Sequence, residues 1–182
     1  WFDIALTLPE PECAAFVRHV AVAPIVSQWH VSHFWIAEDD GIAVAALCAL
    51  PIGEARTTVR SAIEAAALET GVSAAELAEI WRQGSYAGKC WSWGDDGNWM
   101  IEHVAVLPTH RGRGLVQLLL DHALRYGQAD GFSRASIGFY VGNVPAERCY
   151  SKAGFSFAEE KRDRDFEALT GAPGFRRFER AI

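Results

Sequence analysis

The chain has 182 residues, half of them hydrophobic, which suffices for one substantial core and points to a single domain over 1–182. Its formal charge of −6 argues against nucleic acid as a partner and gives a mild attraction for cationic substrates. No apolar run reaches the length of a membrane span, no signal-peptide pattern opens the sequence, and Cys13, Cys48, Cys90 and Cys149 lack zinc or disulfide-framework spacing, so a cytoplasmic protein with no membrane partner and no metal is expected.

The chain opens on Trp1 rather than Met, which leaves open whether residues precede it, and a first strand can lie in Phe2 to Leu6. Pro11 to Val20 carries a helix pattern, with Ala23 to Trp29 read as its continuation into a second helix. His30 and His33 lie without a cysteine nearby or a second pair at finger spacing, which makes them packing or surface histidines rather than ligands. Phe34 to Ala37, Asp39-Asp40-Gly41 and Ile42 to Leu50 read as strand, turn and strand. Ser61 to Glu69 and Ser73 to Gln83 read as two helices, the first stopped by Gly71 and the second opened by the capping box Ser73-Ala74-Ala75-Glu76. Gly94-Asp95-Asp96-Gly97-Asn98 is a turn, and its two aspartates are read as solvated.

Trp99 to Val106 then alternates as a strand and runs through Leu107-Pro108 into Arg111-Gly112-Arg113-Gly114-Leu115. Glycines at a helix N-terminus let successive backbone N–H groups close around a phosphate, and the arginines add charge. The loop lacks the lysine of a P-loop, and Gln117 stands where a dinucleotide fingerprint needs its third glycine, so neither ATP nor NAD is favoured. Leu115, Leu118, Leu119, His122 and Tyr126 give the following helix an apolar stripe, and Gly131 stops it. Ala135 to Val141 alternates as a strand, Gly142-Asn143 closes it, and Pro145 to Gly154 reads as a short helix carrying Tyr150 near its end. Glu159 to Asp165 reads as a strand end running into a loop, and Phe175 to Ala181 as a last strand.

The ordered set Val104-Ala105-Val106-x-Pro108, Arg111-Gly-x-Gly114, helix, strand and Asn143-x-x-Ala-x-x-x-Tyr150-x-Lys-x-Gly-Phe155 resembles the GNAT superfamily of acyl-CoA N-acyltransferases over about residues 99–157. The resemblance implies a mixed α/β (α+β) GNAT fold: a central, mostly antiparallel mixed sheet flanked by helices, with residues 56–89 as a helical insertion before the catalytic strand. That insertion is read as too short to hold its own core. Backbone groups of Val104, Ala105 and Val106 would pair with a pantetheine arm, amides of Arg111, Gly112, Arg113, Gly114, Leu115 and Val116 would hold the pyrophosphate, and Asn143 would lie near the pantetheine. Acetyl-CoA is the implied co-substrate. Val116 departs from the family pattern, which usually has Gly or Ala there, so a branched side chain borders the expected cradle.

Acyl transfer to an amine needs a neutral nucleophile, because a primary amine with a pKa of about 10.4 is overwhelmingly protonated at neutral pH. Strict alternation puts Glu102 on one face of its strand with Met100, Val104 and Val106, and His103 on the other with Ile101 and Ala105; a bulge would shift that register. Glu102 is the leading base, His103 the second, and a supporting role in the strand is the bland alternative for both. Tyr150 matches the family's general acid, against a packing role on its helix; neighbouring Cys149 is not needed as a nucleophile. Trp81, Trp91, Trp93 and Trp99 read either as an aromatic wall over the acceptor or as glue between helices and sheet. The expected acceptor is a small-molecule primary amine, with a protein or peptide amine and a non-catalytic acyl-CoA-binding regulator as rivals. A homodimer is allowed for.

Overall fold

Asp40 and Gly41 take φ of 48° and 78°, the pair of left-handed conformations that turns a two-residue hairpin with the twist of its strands. They join β1 (Phe34–Asp39) to β2 (Ile42–Pro51), the first two strands of a six-stranded sheet. In this computed structural model residues 6, 8–55, 58–92, 94–95 and 97–182 are described, those at 54, 55 and 87 by their backbone alone. The first strand expected over 2–6 falls outside them except for Leu6, which is helical and buried.

Before the hairpin, α1 (Glu10–Ala21) has Pro11 in its first turn, as expected. The second helix expected over 23–29 does not form. Pro24 disfavours helical geometry at Ala23, and the chain passes through turns to a 3₁₀ turn at Val31–His33. His30 serves that turn locally, its Nδ1 accepting from Ser32 N at 3.2 Å.

After β2 come a short helix α2 (Ile52–Ala55), α3 (Val59–Thr70) and α4 (Ala74–Gly88). The capping box is present: Ser73 N donates to Glu76 Oε2 at 2.8 Å and Glu76 N donates to Ser73 Oγ at 3.3 Å. Ser73→Ala removes one of the reciprocal bonds and is expected to lower Tm by about 2–4 °C in a thermal melt, the equivalent of a lost cap in a chain of this size. Phe16 and Val20 of α1 bury against Ala62, Ile63 and Ala66 of α3 and Ile80 of α4, a cluster apart from the sheet's core.

The sheet continues with β3 (Trp99–Val106), β4 (Arg134–Tyr140), β5 (Ser156–Arg162) and β6 (Gly174–Ala181), in the order β1-β2-β3-β4-β6-β5. Every neighbouring pair is antiparallel except β3 and β4, which are parallel and joined by the crossover helix α5 (Leu115–Ala129). Leu119, Leu120, Ala123 and Leu124 of α5 pack on Ile101, Ile137 and Phe139 to form the main core, which α6 (Val144–Lys152) completes with Tyr150. A further helix, α7 (Arg164–Thr170), stands where the sequence pattern predicts a loop. Asp163 caps it, accepting from the amides of Asp165 at 2.9 Å and Phe166 at 3.0 Å, and Phe166 is fully buried.

The sheet has one large irregularity. β3 and β4 pair only from Trp99↔Ala135 to Ile101↔Ile137, although the strands run on to Val106 and Tyr140. The sheet therefore opens in its middle, at the carboxyl ends of two parallel strands, where open α/β sheets accept ligands.

Candidate active site

The β2/β3 pairing shifts between Ala46↔Ala105 and Cys48↔Glu102, so that His103 and Val104 together face Leu47. This is a β-bulge, and His103 absorbs it with φ of 52°. The bulge overturns strict alternation. Val104 and Val106 pack on the main core with Ile101, while Met100 and Cys48 pack together on the opposite face of the sheet. Glu102 and His103, assigned by alternation to opposite faces, line the same cavity.

That cavity, of about 250 Å³, lies against the opened β3/β4 pair. Glu102 is 7% exposed, with neither carboxylate oxygen accepting a hydrogen bond among the described residues. The His103 imidazole lies beside it, with Nε2 3.1 Å from Oε1. Burial, and secondarily the Glu102 charge, push the Cys48 thiol far above its ordinary range, so Cys48 stays a neutral packing group donating to Gln28 O at 3.3 Å. Trp91 and Phe175 form part of the cavity wall, stacked with centroids 5.1 Å apart. Of the four tryptophans singled out in sequence, Trp91 alone lines this cavity among the described residues. Trp99 is in the main core, Trp81 packs with the α1/α3/α4 cluster under Arg60 at 4.5 Å, and Trp93 lies outside the described residues.

A second, larger groove of about 760 Å³ runs from Val104, Ala105 and Val106 past His110 to the start of α5, bounded on its other side by α6. Gly112 and Gly114 have φ of 77° and 80°, a conformation that L side chains rarely adopt. Gly114 is the N-cap residue of α5 and supplies no side-chain hydrogen bond, which leaves the first-turn amides without a side-chain cap. Chain neighbours aside, no described atom stands within 4 Å of the position of a Cβ at either glycine, so the loop is open there. Arg111, Gly112, Gly114, Leu115 and Val116 line the groove, and Val116 also packs partly on the core. Arg113 does not line it; its Nη1 lies 3.5 Å from Asp39 Oδ2, beside His110.

The two cavities share three residues: Val104, Asn143 and Tyr150. Asn143 caps α6, its Oδ1 accepting from Ala146 N at 3.2 Å. Tyr150 is buried edge-on against Phe139, and burial raises its phenol pKa well above the usual value, so the hydroxyl keeps its proton at neutral pH. Gln117 ties α5 to α6 by donating to Cys149 O at 2.7 Å and to its Sγ at 3.3 Å, which occupies Cys149 beside the groove. Thus a buried phenol, a buried carboxylate and the glycine loop border two cavities that meet at Val104, Asn143 and Tyr150.

Sequence reasoning missed Ser136, Phe175, Ser92 and Arg177, all of which line the smaller cavity. Arg177 donates through Nε to Ser92 Oγ at 3.0 Å and pairs with Glu179 and Glu159, fastening the segment that carries Trp91 to β6. The alternation of β4 marks Ser136 as sharing a face with Gly138 and Tyr140, but its neighbours come from strands distant in sequence.

A profile of the Acetyltransferase (GNAT) family matches residues 5–155. No curated relative matches the chain by sequence. Among solved structures, an acetyltransferase superposes with a TM-score of 0.72 at 13% identity, covering all of this chain and 86% of its own. An N-acetyltransferase from Staphylococcus aureus Mu50 gives 0.68 at 16%, covering all of this chain and 94% of its own. A GNAT family acetyltransferase from Elizabethkingia anophelis, with acetyl-CoA bound, gives 0.54 at 10%, covering 84% of this chain and 78% of its own. At these identities the likeness is one of fold.

Proposed function

The chain belongs to the GNAT acetyltransferase family, and from that premise we propose that it transfers an acetyl group from acetyl-CoA to the primary amine of a small molecule by direct attack. The observation that carries this reading is the meeting of the two cavities at Val104, Asn143 and Tyr150, with Glu102 and His103 on one side and the glycine loop on the other. Acetyl-CoA supplies an acetyl group activated as a thioester. The residues present fit it: the unpaired edge of Val104 to Val106 offers backbone groups to a pantetheine arm, and the amides of residues 111–116 at the start of α5 suit a pyrophosphate.

Glu102 takes the proton from the bound ammonium, directly or through water, and leaves the nitrogen lone pair free to attack the thioester carbon. His103, 3.1 Å away, orients the carboxylate. As the carbon–sulfur bond breaks, Tyr150 donates its proton to the departing thiolate, and the nitrogen gives up its second proton to solvent as the amide forms; Glu102 then releases its proton to solvent and Tyr150 regains one from it, so that one proton is set free per turnover. A small acceptor is favoured because the cavity beside Glu102 holds only about 250 Å³ and is walled by Trp91 and Phe175. The scattered cysteines support a cytoplasmic setting. Among the described residues, no helix is long and apolar enough to cross a membrane.

Thermal melting tests the donor. Coenzyme A and acetyl-CoA are expected to raise Tm, by about 2.7 kcal/mol of added stability at a hundredfold excess over Kd, and Gly114→Val to abolish the shift because valine strains a positive φ. Stabilisation by ATP or NAD and not by acetyl-CoA would overturn the reading.

A further inference from the structure

The smaller cavity has a direction that acetyl transfer does not use. Because β3 and β4 are parallel, Met100 to Val104 and Ser136 to Tyr140 both run toward the junction with the larger groove. Glu102 lies along that path, whereas Ser136, paired with Met100, lies at the far end. Ser136 is 2% exposed, and its Oγ has no hydrogen-bond partner among the described residues. A buried hydroxyl in that state marks a partner that the protein itself does not supply.

Between these two polar points the cavity is aromatic. Trp91 and Phe175 stack at an interplanar angle of 19°, and Tyr140 meets Phe175 edge-on at 5.8 Å. Gly138 is what admits the Phe175 ring, since a Cβ there would stand 2.2 Å from its Cε1. Arg177, at the cavity, is neutralised by Glu179 and Glu159, which leaves Glu102 as the lining carboxylate without an Arg or Lys partner among the described residues. The volume, about eight times a water's share of the liquid, is that of one ring with a short arm.

Resting on the acetyl-transfer reading, we infer that the acceptor is a compact arylalkyl primary amine whose ring carries a hydroxyl or similar hydrogen-bonding group. Its nitrogen lies at Glu102, its ring against the Trp91–Phe175 wall, and its distal group on Ser136. Ser136 then determines specificity without taking part in the chemistry. A site that spends a buried hydrogen bond on a substrate discriminates against the analogue that lacks it.

The test is acetylation of tyramine, phenethylamine, putrescine and a short peptide by the unaltered chain, following CoA release and product mass, with acetyl-CoA binding measured by calorimetry. The kcat/KM for tyramine is expected to exceed that for phenethylamine about tenfold, with both above putrescine and the peptide. Ser136→Ala is expected to bring the two aryl amines within about twofold by lowering the tyramine value. Equal use of tyramine and phenethylamine by the unaltered chain, or preference for putrescine or the peptide, overturns the inference. Where acetyl-CoA binds and putrescine or the peptide is acetylated, only the acceptor class falls. Where acetyl-CoA does not bind, the acetyl-transfer reading falls with it.

Discussion

Tyr150→Phe is expected to reduce kcat by about 10²–10⁴-fold while leaving the calorimetric Kd for acetyl-CoA nearly unchanged. The substitution removes one oxygen from a ring that would keep its edge-on packing against Phe139, so the fold survives and the loss isolates the proton. Burial holds the phenol protonated, and it opposes a thiolate in the same place as well. On the proposed reading the hydroxyl would act as a hydrogen-bond donor that completes its transfer as charge develops on sulfur. Because the phenol pKa is raised, Tyr150 itself contributes no alkaline limb to the rate profile near neutral pH. An unchanged kcat in the variant would return Tyr150 to packing.

Glu102→Gln is expected to lower kcat/KM by a similar factor, again with little change in acetyl-CoA affinity. Glutamine keeps the shape and loses the basicity. The companion variant is His103→Asn, because asparagine tolerates the left-handed backbone at the bulge where a branched residue would strain it. It is expected to cost less, about tenfold or below, since on the proposed reading the imidazole orients the carboxylate and leaves the amine's proton to Glu102. A larger loss in the His103 variant than in the Glu102 variant would exchange the two roles.

Features set by a few consecutive residues were legible in the sequence. The hairpin at Asp40-Gly41, the capping box at Ser73 and Glu76, and the Arg111-Gly-x-Gly114 loop each depend on local backbone preference, and each stands where expected. Local preference also misled. Apolar residues over 23–29 suggested a helix that does not form, Pro24 disfavouring helical geometry at Ala23, and the charged run after Glu159 hid α7, although Asp163 and Gly171 are ordinary helix punctuation. The bulge was not legible, because it is set by the pairing of His103 and Val104 against a single residue, Leu47, more than fifty positions earlier. Alternation of β3 alone therefore put Val104 and Val106 on the wrong face. Ser136 escaped for the same kind of reason: a serine in a strand is ordinary until its surroundings from β3, β6 and the 91–92 segment are known.

The parting of β3 from β4 beyond Ile101 and Ile137 gives this sheet an edge in its interior. An edge is ordinarily a place where another chain can add a strand, yet here it is flanked by α5 and α6 and admits only something slender. Amide hydrogen exchange in a central strand would then track occupancy of the groove. The amides of β3 that face the parting would exchange readily in the free protein. Once a ligand arm supplied the missing partners they would slow, by more than the general stabilisation that binding gives the strands on either side. The hydrogen-bond ladder of the sheet would then be completed by its ligand.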